Sequence, residues 1–205
     1  VYFLVLFIGE NIMPSGPYNT PPPVTPAPTI TVAPTENVTP TPYVKIAPVH
    51  LYFPNQEIDM EIEPVGQDEE GRMGTLDTHL KAAWYEPGPA PGDEGNALIN
   101  GHIRWKKKLG YFSVLQDMQL YDPIVTLHSD GSLRVFYVVS VDIYPLDNVP
   151  EHVMAFDDVR RVTLITCNGE FDRSIGTSVN RCIVIAMMEE DIQDFDPAYR
   201  YELGT

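Results

Sequence analysis

Two cysteines and five histidines are the side chains of this 205-residue chain best suited to attack carbon or exchange protons near neutral pH. Both cysteines lie in "VTLITCNGEFDRSIGTSVNRCIVIA", residues 162–186, each beside a run of branched apolar residues. Three roles are open to Cys167: nucleophile, half of a disulfide with Cys182, or small apolar core residue. Cysteine catalysis needs a thiolate, a proton-exchanging group and donors aimed at the oxyanion, so a catalytic cysteine is expected beside a cation. Cys167 closes an apolar strand run and is followed by Asn168-Gly169, where the chain turns. Arg181 stands directly before the next apolar run, so a loop over 168–180 would return the chain and set Arg181 beside Cys167. Successive strand side chains alternate in direction, so if Arg181 and Cys167 share a face, Cys182 occupies the other. A disulfide needs Cβ atoms about 3.8 Å apart, which opposite faces prohibit. The catalytic and disulfide readings of Cys167 therefore exclude each other, and under the first Cys182 belongs to the core with Val184 and Ala186.

Among the histidines, His102 stands out. "NALINGHI" brings an apolar strand up to Gly101 and places an imidazole at its end, as Cys167 is placed at the end of its own run. His128 sits beside an Asp130-Gly131 turn, and His152 lies in a polar stretch that reads as a surface helix. A lone histidine is most often a satisfied polar residue, so His102 gains weight only from its partners. No Cys-x-x-Cys or paired Cys/His spacing is present, and neither a metal nor a cofactor is expected.

The elements that must position these groups are mostly strands. "HLYFPNQEIDMEIEPVG" alternates at Ile58, Met60 and Ile62; "NALINGHI", "DPIVTL", "LRVFYVVSVDIY", "RVTLITC" and "RCIVIAMM" follow, with Asp130-Gly131 as a hairpin signal. Short helices are expected around 76–83, 111–118 and 151–156. Six or more short strands with few helices predict an all-β barrel or sandwich rather than a doubly wound α/β fold. The domain begins near Val49. Before it, residues 14–48 are rich in Pro and Thr with almost no charge, a composition that favours extended polyproline II and cannot bury a core. Residues 1–13 open with "VYFLVLFIG", too short at about 1.5 Å per residue to cross a hydrocarbon core of roughly 30 Å. An apolar end, a Pro/Thr stalk and a globular domain are the layout of a membrane-tethered domain, with a disordered tail on a soluble protein as the alternative. The formal charge of −16 opposes nucleic acid and anionic membrane surfaces. The one dense basic cluster, Arg104, Lys106, Lys107 and Lys108, reads as a solvated loop.

"TLITC" with Arg181 in "NRCIVIA" resembles the sortase signature of Thr-Leu-x-Thr-Cys and a downstream Arg, and "NALINGH" resembles the strand that delivers the sortase histidine. "AAWYEPGPAPGDEGNALINGH" and "TCNGEFD" are similar to stretches of class F and related class E or D-like sortases. The likeness runs from about Val49 to Ala186, within a catalytic domain placed at 49–188. It implies an eight-stranded β-barrel in which Cys167 is the nucleophile, His102 the general acid/base, and Arg181 the residue that orients substrate and stabilises the oxyanion. Thr166 matches the family's threonine before the cysteine and is expected to shape the substrate site. The implied reaction cleaves a Leu-Pro-x-Thr-Gly-type sorting signal between Thr and Gly, through a thioacyl enzyme that an amine resolves. The implied partners are surface proteins bearing that signal and an amine acceptor, a cell-wall precursor or a pilin lysine. The implied location is the outer face of the plasma membrane, held by the N-terminal segment. "IRWKKK" after His102 and "TSVN" before Arg181 depart from the relatives, which tend to be neutral or acidic at the first and often carry Tyr at the second. The segment 144–159 occupies the place of the loop that reads the sorting signal, with Val149, Pro150 and Val153 as apolar contacts; packing of that loop onto the barrel competes with this. A stalked adhesion or binding domain with a structural Cys167, and a hydrolytic cysteine protease, are the rival functions. Residues 189–205 form an acidic tail, either frayed or docked through Ile192, Phe195 and Tyr199.

Overall fold

The structure, a computed structural model, describes residues 43–192. The apolar N-terminal run, the Pro/Thr stretch up to residue 42, and Phe195 and Tyr199 of the tail lie outside the described residues. Among the described residues no helix is long and apolar enough to cross a membrane.

Eight strands close a barrel: β1 (Pro48–Phe53), β2 (Ile58–Val65), β3 (Ala82–Tyr85), β4 (Asn96–Asn100), β7 (Pro123–His128), β8 (Leu133–Pro145), β9 (Arg161–Asp172) and β10 (Thr177–Met187). Their order around the barrel is β1-β2-β3-β4-β9-β10-β8-β7. Two further strands, β5 (Arg104–Trp105) and β6 (Lys108–Leu109), form a separate hairpin. The expected barrel is therefore the observed fold, and closure leaves no long sheet edge unpaired. Alternation places Leu51, Phe53, Met60, Ile62, Trp84, Val162, Leu164, Cys182 and Val184 in one buried cluster. A 3₁₀ helix over Tyr111–Asp117 joins that cluster with Phe112 and Leu115; the Phe112 ring meets Phe53 edge-on at 5.9 Å.

The helix expected at 111–118 is present in 3₁₀ form, and the one expected at 151–156 is a single α turn, α1 (Glu151–Met154). The helix expected over 76–83 does not form. Its last residues, Ala82 and Ala83, enter β3, all four of whose residues are buried, so the run lacks the alternation that would mark it as a strand. The loop expected over 168–180 is also much shorter: β9 and β10 continue as a ladder to Asp172 and Thr177, leaving only 173–176 as the turn.

Residues ahead of β1 already touch the barrel. The Tyr43 hydroxyl donates to Asp93, Lys45 Nζ donates to the Glu86 and Gly88 carbonyls, and His128 Nδ1 meets the Ile46 carbonyl at 3.0 Å. At the other end a second helical turn, α2 (Glu189–Ile192), is held by Arg160, whose Nε and Nη2 donate to the two Asp191 carboxylate oxygens at 2.7 and 2.8 Å.

Candidate active site

β9 lies between β4 and β10, and the registers of the two ladders decide what meets at its end. Against β10 the pairing is antiparallel, with Arg181 opposite Cys167 and Cys182 opposite Thr166. Against β4 it is parallel, with Asn100 opposite Ile165, and the Gly101 amide continues the ladder by donating to the Ile165 carbonyl at 3.2 Å. Carried one residue further, this register sets His102 at the level of Cys167. The imidazole just past the end of β4, the thiol within β9 and the guanidinium within β10 thus stand at one level across three neighbouring strands.

Burial separates the two cysteines as alternation predicts. Cys182 is fully buried in the core cluster, Cys167 is partly exposed, and both are free thiols. Burial, with smaller contributions from Asp142 and Asp117, pushes the Cys182 thiol up to about 11, which keeps it protonated. Cys182 is a packing residue.

Arg181 is held in a fixed pose. Its Nη1 donates to the Ser178 and Asn180 carbonyls, each at 2.9 Å, and its Nη2 donates to Thr177 Oγ1 at 3.1 Å. The same Thr177 hydroxyl lies 3.8 Å from Cys167 Sγ. Since Oγ1 accepts from Arg181, its own proton is available to the sulfur, and Thr177 connects guanidinium to thiol. No sequence signal marked Thr177, because its position depends on a bulge. Between the Ser178–Phe171 and Asn180–Asn168 pairs β9 carries one extra residue, where Gly169 adopts φ +75°. A Cβ there would be strained by its backbone and would stand 3.0 Å from Asn180 Nδ2. The glycine of "TCNGEFD" permits the bulge that keeps Thr177 near Cys167.

His102 is gripped on an edge and a face. Its Nε2 donates to the Leu76 carbonyl at 2.8 Å, which leaves Nδ1 as the ring nitrogen able to exchange a proton. Its ring stacks on Trp105 of the hairpin, with centroids 4.7 Å apart and planes 20° from parallel. Gly101 allows the strand end to lie against the core: a Cβ there would stand 2.3 Å from the Phe112 ring. The stretch around 76 that was expected to be helical is instead the loop whose backbone holds the histidine.

Thr166 differs from its expected role. It is buried on the barrel's inner face, and its hydroxyl donates to the Gly101 carbonyl at 2.7 Å. That bond ties the strand carrying Cys167 to the residue before His102. Val153 is likewise only 1% exposed, in the first turn of a helix pinned from below. Buried Asn96 donates to the Val153 and Ala155 carbonyls at 2.9 and 3.2 Å, and buried Arg161 donates to the His152 and Ala155 carbonyls at 3.0 and 3.2 Å. Val153 thus anchors the loop instead of facing outward. Val149 and Pro150 are half-buried on the same loop, which reaches β10 through the Leu146 amide and the Val179 carbonyl at 2.8 Å. Among the described residues no three His, Cys, Asp or Glu side chains converge as a metal site.

A closed barrel that pairs a partly exposed thiol with a hydrogen-bonded guanidinium, beside an oriented imidazole, is a barrel of the cysteine acyl-transfer type. The chain belongs to the sortase family, whose members are cysteine transpeptidases: the family's sortase domain matches residues 53–189. No curated protein sequence matches the chain significantly. Solved structures are similar in fold. Sortase A from Corynebacterium diphtheriae is 19% identical with a TM-score of 0.53, over 75% of this chain and 64% of that one. Sortase C1 from Streptococcus agalactiae is 17% identical with a TM-score of 0.53, over 68% and 66%. Sortase A from Listeria monocytogenes is 16% identical with a TM-score of 0.52, over 71% and 88%. The chain thus spans just under two thirds of the length of the first two.

Proposed function

We propose that this chain is a sorting-signal transpeptidase in which Cys167, His102 and Arg181 carry the reaction. The observation that supports this best is the register, which sets Cys167 of β9 opposite Arg181 of β10 and at the level of His102, just past the end of β4. The Cys167 thiolate attacks the Thr carbonyl of a Leu-Pro-x-Thr-Gly-type segment. The oxyanion that forms is met by the fixed Arg181 guanidinium, which needs no deprotonation to act. As the tetrahedral species collapses, the Thr–Gly C–N bond breaks and His102 delivers a proton to the departing amine, leaving a thioester on Cys167. An incoming amine then attacks the thioester, loses its proton to His102, and releases the joined product, leaving the Cys167 thiolate and the protonated His102 with which the cycle began. Splitting the amide exchange in this way lets one acid/base group serve both halves.

The substrates in this reading are surface proteins bearing the signal, and the acceptor is the amine of a cell-wall precursor or of a pilin lysine. The enzyme acts at the outer face of the plasma membrane, tethered through its N-terminal segment and Pro/Thr stalk. Val149 and Pro150 are its candidate apolar contacts to the signal. The test is a Leu-Pro-x-Thr-Gly peptide library incubated with an amine. Ligated product from the native protein and none from Cys167→Ala is expected. Turnover of no library member, or equal turnover by Cys167→Ala, overturns the reading, and hydrolysis without ligation reassigns the protein as a protease.

A further inference from the structure

We propose that the β5–β6 hairpin is an anion-recognising arm that selects acceptors carrying carboxylates near their amine; this rests on the transpeptidase reading above.

The hairpin carries Arg104, Lys106, Lys107 and Lys108, all exposed. Elsewhere in the described residues, Arg72, Lys81, Arg134, Arg160 and Arg161 each contact an Asp or Glu. None of the four hairpin cations has a carboxylate within ion-pair distance among the described residues. In a chain of net charge −16 the cluster is an unneutralised positive spot on a molecule whose net charge repels acidic partners.

Its turn is built for these residues against local preference. Trp105 pairs with Lys108, so the loop is the two residues Lys106 and Lys107, with φ +47° and +69°. Two positive φ values in a two-residue hairpin loop form the turn that Asn-Gly fills best. The chain instead holds two exposed lysines in that strained conformation at a short, defined turn.

The arm's position gives the charge a direction. Trp105 stacks on His102, and Lys106 Nζ lies 5.5 Å from the Trp105 ring centroid. In the proposed reaction His102 protonates the departing amine and deprotonates the incoming one, so groups packed around it flank the amine side of the scissile bond. An acceptor whose carboxylates lie a few residues from its amine would meet Lys106, Lys107 and Lys108 as that amine reaches the thioester. The carboxylates take no covalent part: thioester and amine become amide and thiolate, with the amine's proton passing to His102.

Two measurements separate this from the reading it rests on. First, binding of the peptides Gly-Gly-Glu-Glu and Gly-Gly-Gln-Gln to Cys167→Ala protein is compared at low and high salt, with anionic phospholipid vesicles as a third ligand. Second, both peptides serve as acceptors for native protein supplied with sorting-signal peptide. Two exposed ion pairs predict a preference for the acidic peptide of about fivefold at low salt. It collapses toward one near 0.5 M salt, where screening shortens to a few ångströms. The variant Lys106→Asn/Lys107→Gly/Lys108→Gln, which receives the favoured turn pair and so keeps the hairpin, loses the preference. Equal binding of the two peptides, a preference that survives in the variant, or vesicles bound through these lysines while the acidic peptide is not, overturns the proposal. Thioacyl enzyme formed with no acceptor preference overturns the arm alone. A binding preference without any thioacyl enzyme overturns the transpeptidase reading and leaves an acidic-peptide site.

Discussion

Replacing Thr177 by Val tests the link between guanidinium and thiol. The substitution preserves shape and removes the hydroxyl that accepts from Arg181 Nη2 at 3.1 Å and reaches Cys167 Sγ at 3.8 Å. Arg181 keeps its two bonds to the Ser178 and Asn180 carbonyls, so its pose survives and the loss falls on the sulfur. A hydrogen bond to a charged group contributes about 1.5–3 kcal/mol, and a 3.8 Å contact to sulfur belongs at the low end. At about 1.4 kcal/mol per factor of ten, Thr177→Val should slow thioacyl formation roughly tenfold. The apparent KM for the signal peptide should barely move, because Thr177 is placed to act on the sulfur and not on bound peptide. Iodoacetamide alkylation of Cys167, followed by mass spectrometry, should slow by a similar factor and needs no substrate. Thr177 is half-buried, so melting should shift by no more than about 3 °C. Thr177→Ser keeps the hydroxyl and should recover most of both rates. Rates for Thr177→Val within twofold of native, or a serine variant as slow as the valine, would refute the assigned role.

Thr166→Val removes the donor that buried Thr166 gives to the partly buried Gly101 carbonyl, a loss of about 1 kcal/mol that calorimetry should register as a melting point lower by roughly 2–4 °C. Alkylation of native protein should label one cysteine per chain, Cys167, with Cys182 reacting only after unfolding; labelling of both in the folded state would contradict the burial and the raised thiol. Burial, and secondarily the Arg134 guanidinium, hold the fully enclosed His128 below the usual imidazole range, against the opposing pull of the Ile46 carbonyl, Asp130 and Asp93. Unfolding therefore takes up a proton below about pH 6.5, so stability is full above that pH and falls as the pH drops through the histidine range, before the carboxylates titrate; urea melts at pH 7.5 and 5.5 should show this, and His128→Asn should reduce it.

The sequence by itself determined the strand character of the domain and the face each cysteine takes. Period-two alternation is local, and it separates Arg181 from Cys182 wherever the sheet lies. It also marked Gly101-His102 as lying at a strand end, because an apolar run meeting a glycine is visible in a few residues; the same signal at Asn168-Gly169 marked a bulge within β9 and not the end of the strand. What needed more than this was legible only as resemblance, the barrel closure and the grouping of His102 with Cys167 above all, since a parallel ladder between β4 and β9 joins segments more than sixty residues apart. The tertiary structure alone decided three things. β3 was hidden because four buried residues carry no alternation. The β5–β6 hairpin was hidden because Lys-Lys lacks the turn chemistry that signals one. Thr177 and the partner of Thr166 were hidden because each depends on register, one through a bulge at Gly169 and the other through the Gly101 carbonyl of the neighbouring segment. Alternation tells which way a side chain points, but only the pairing of distant strands decides what it meets there.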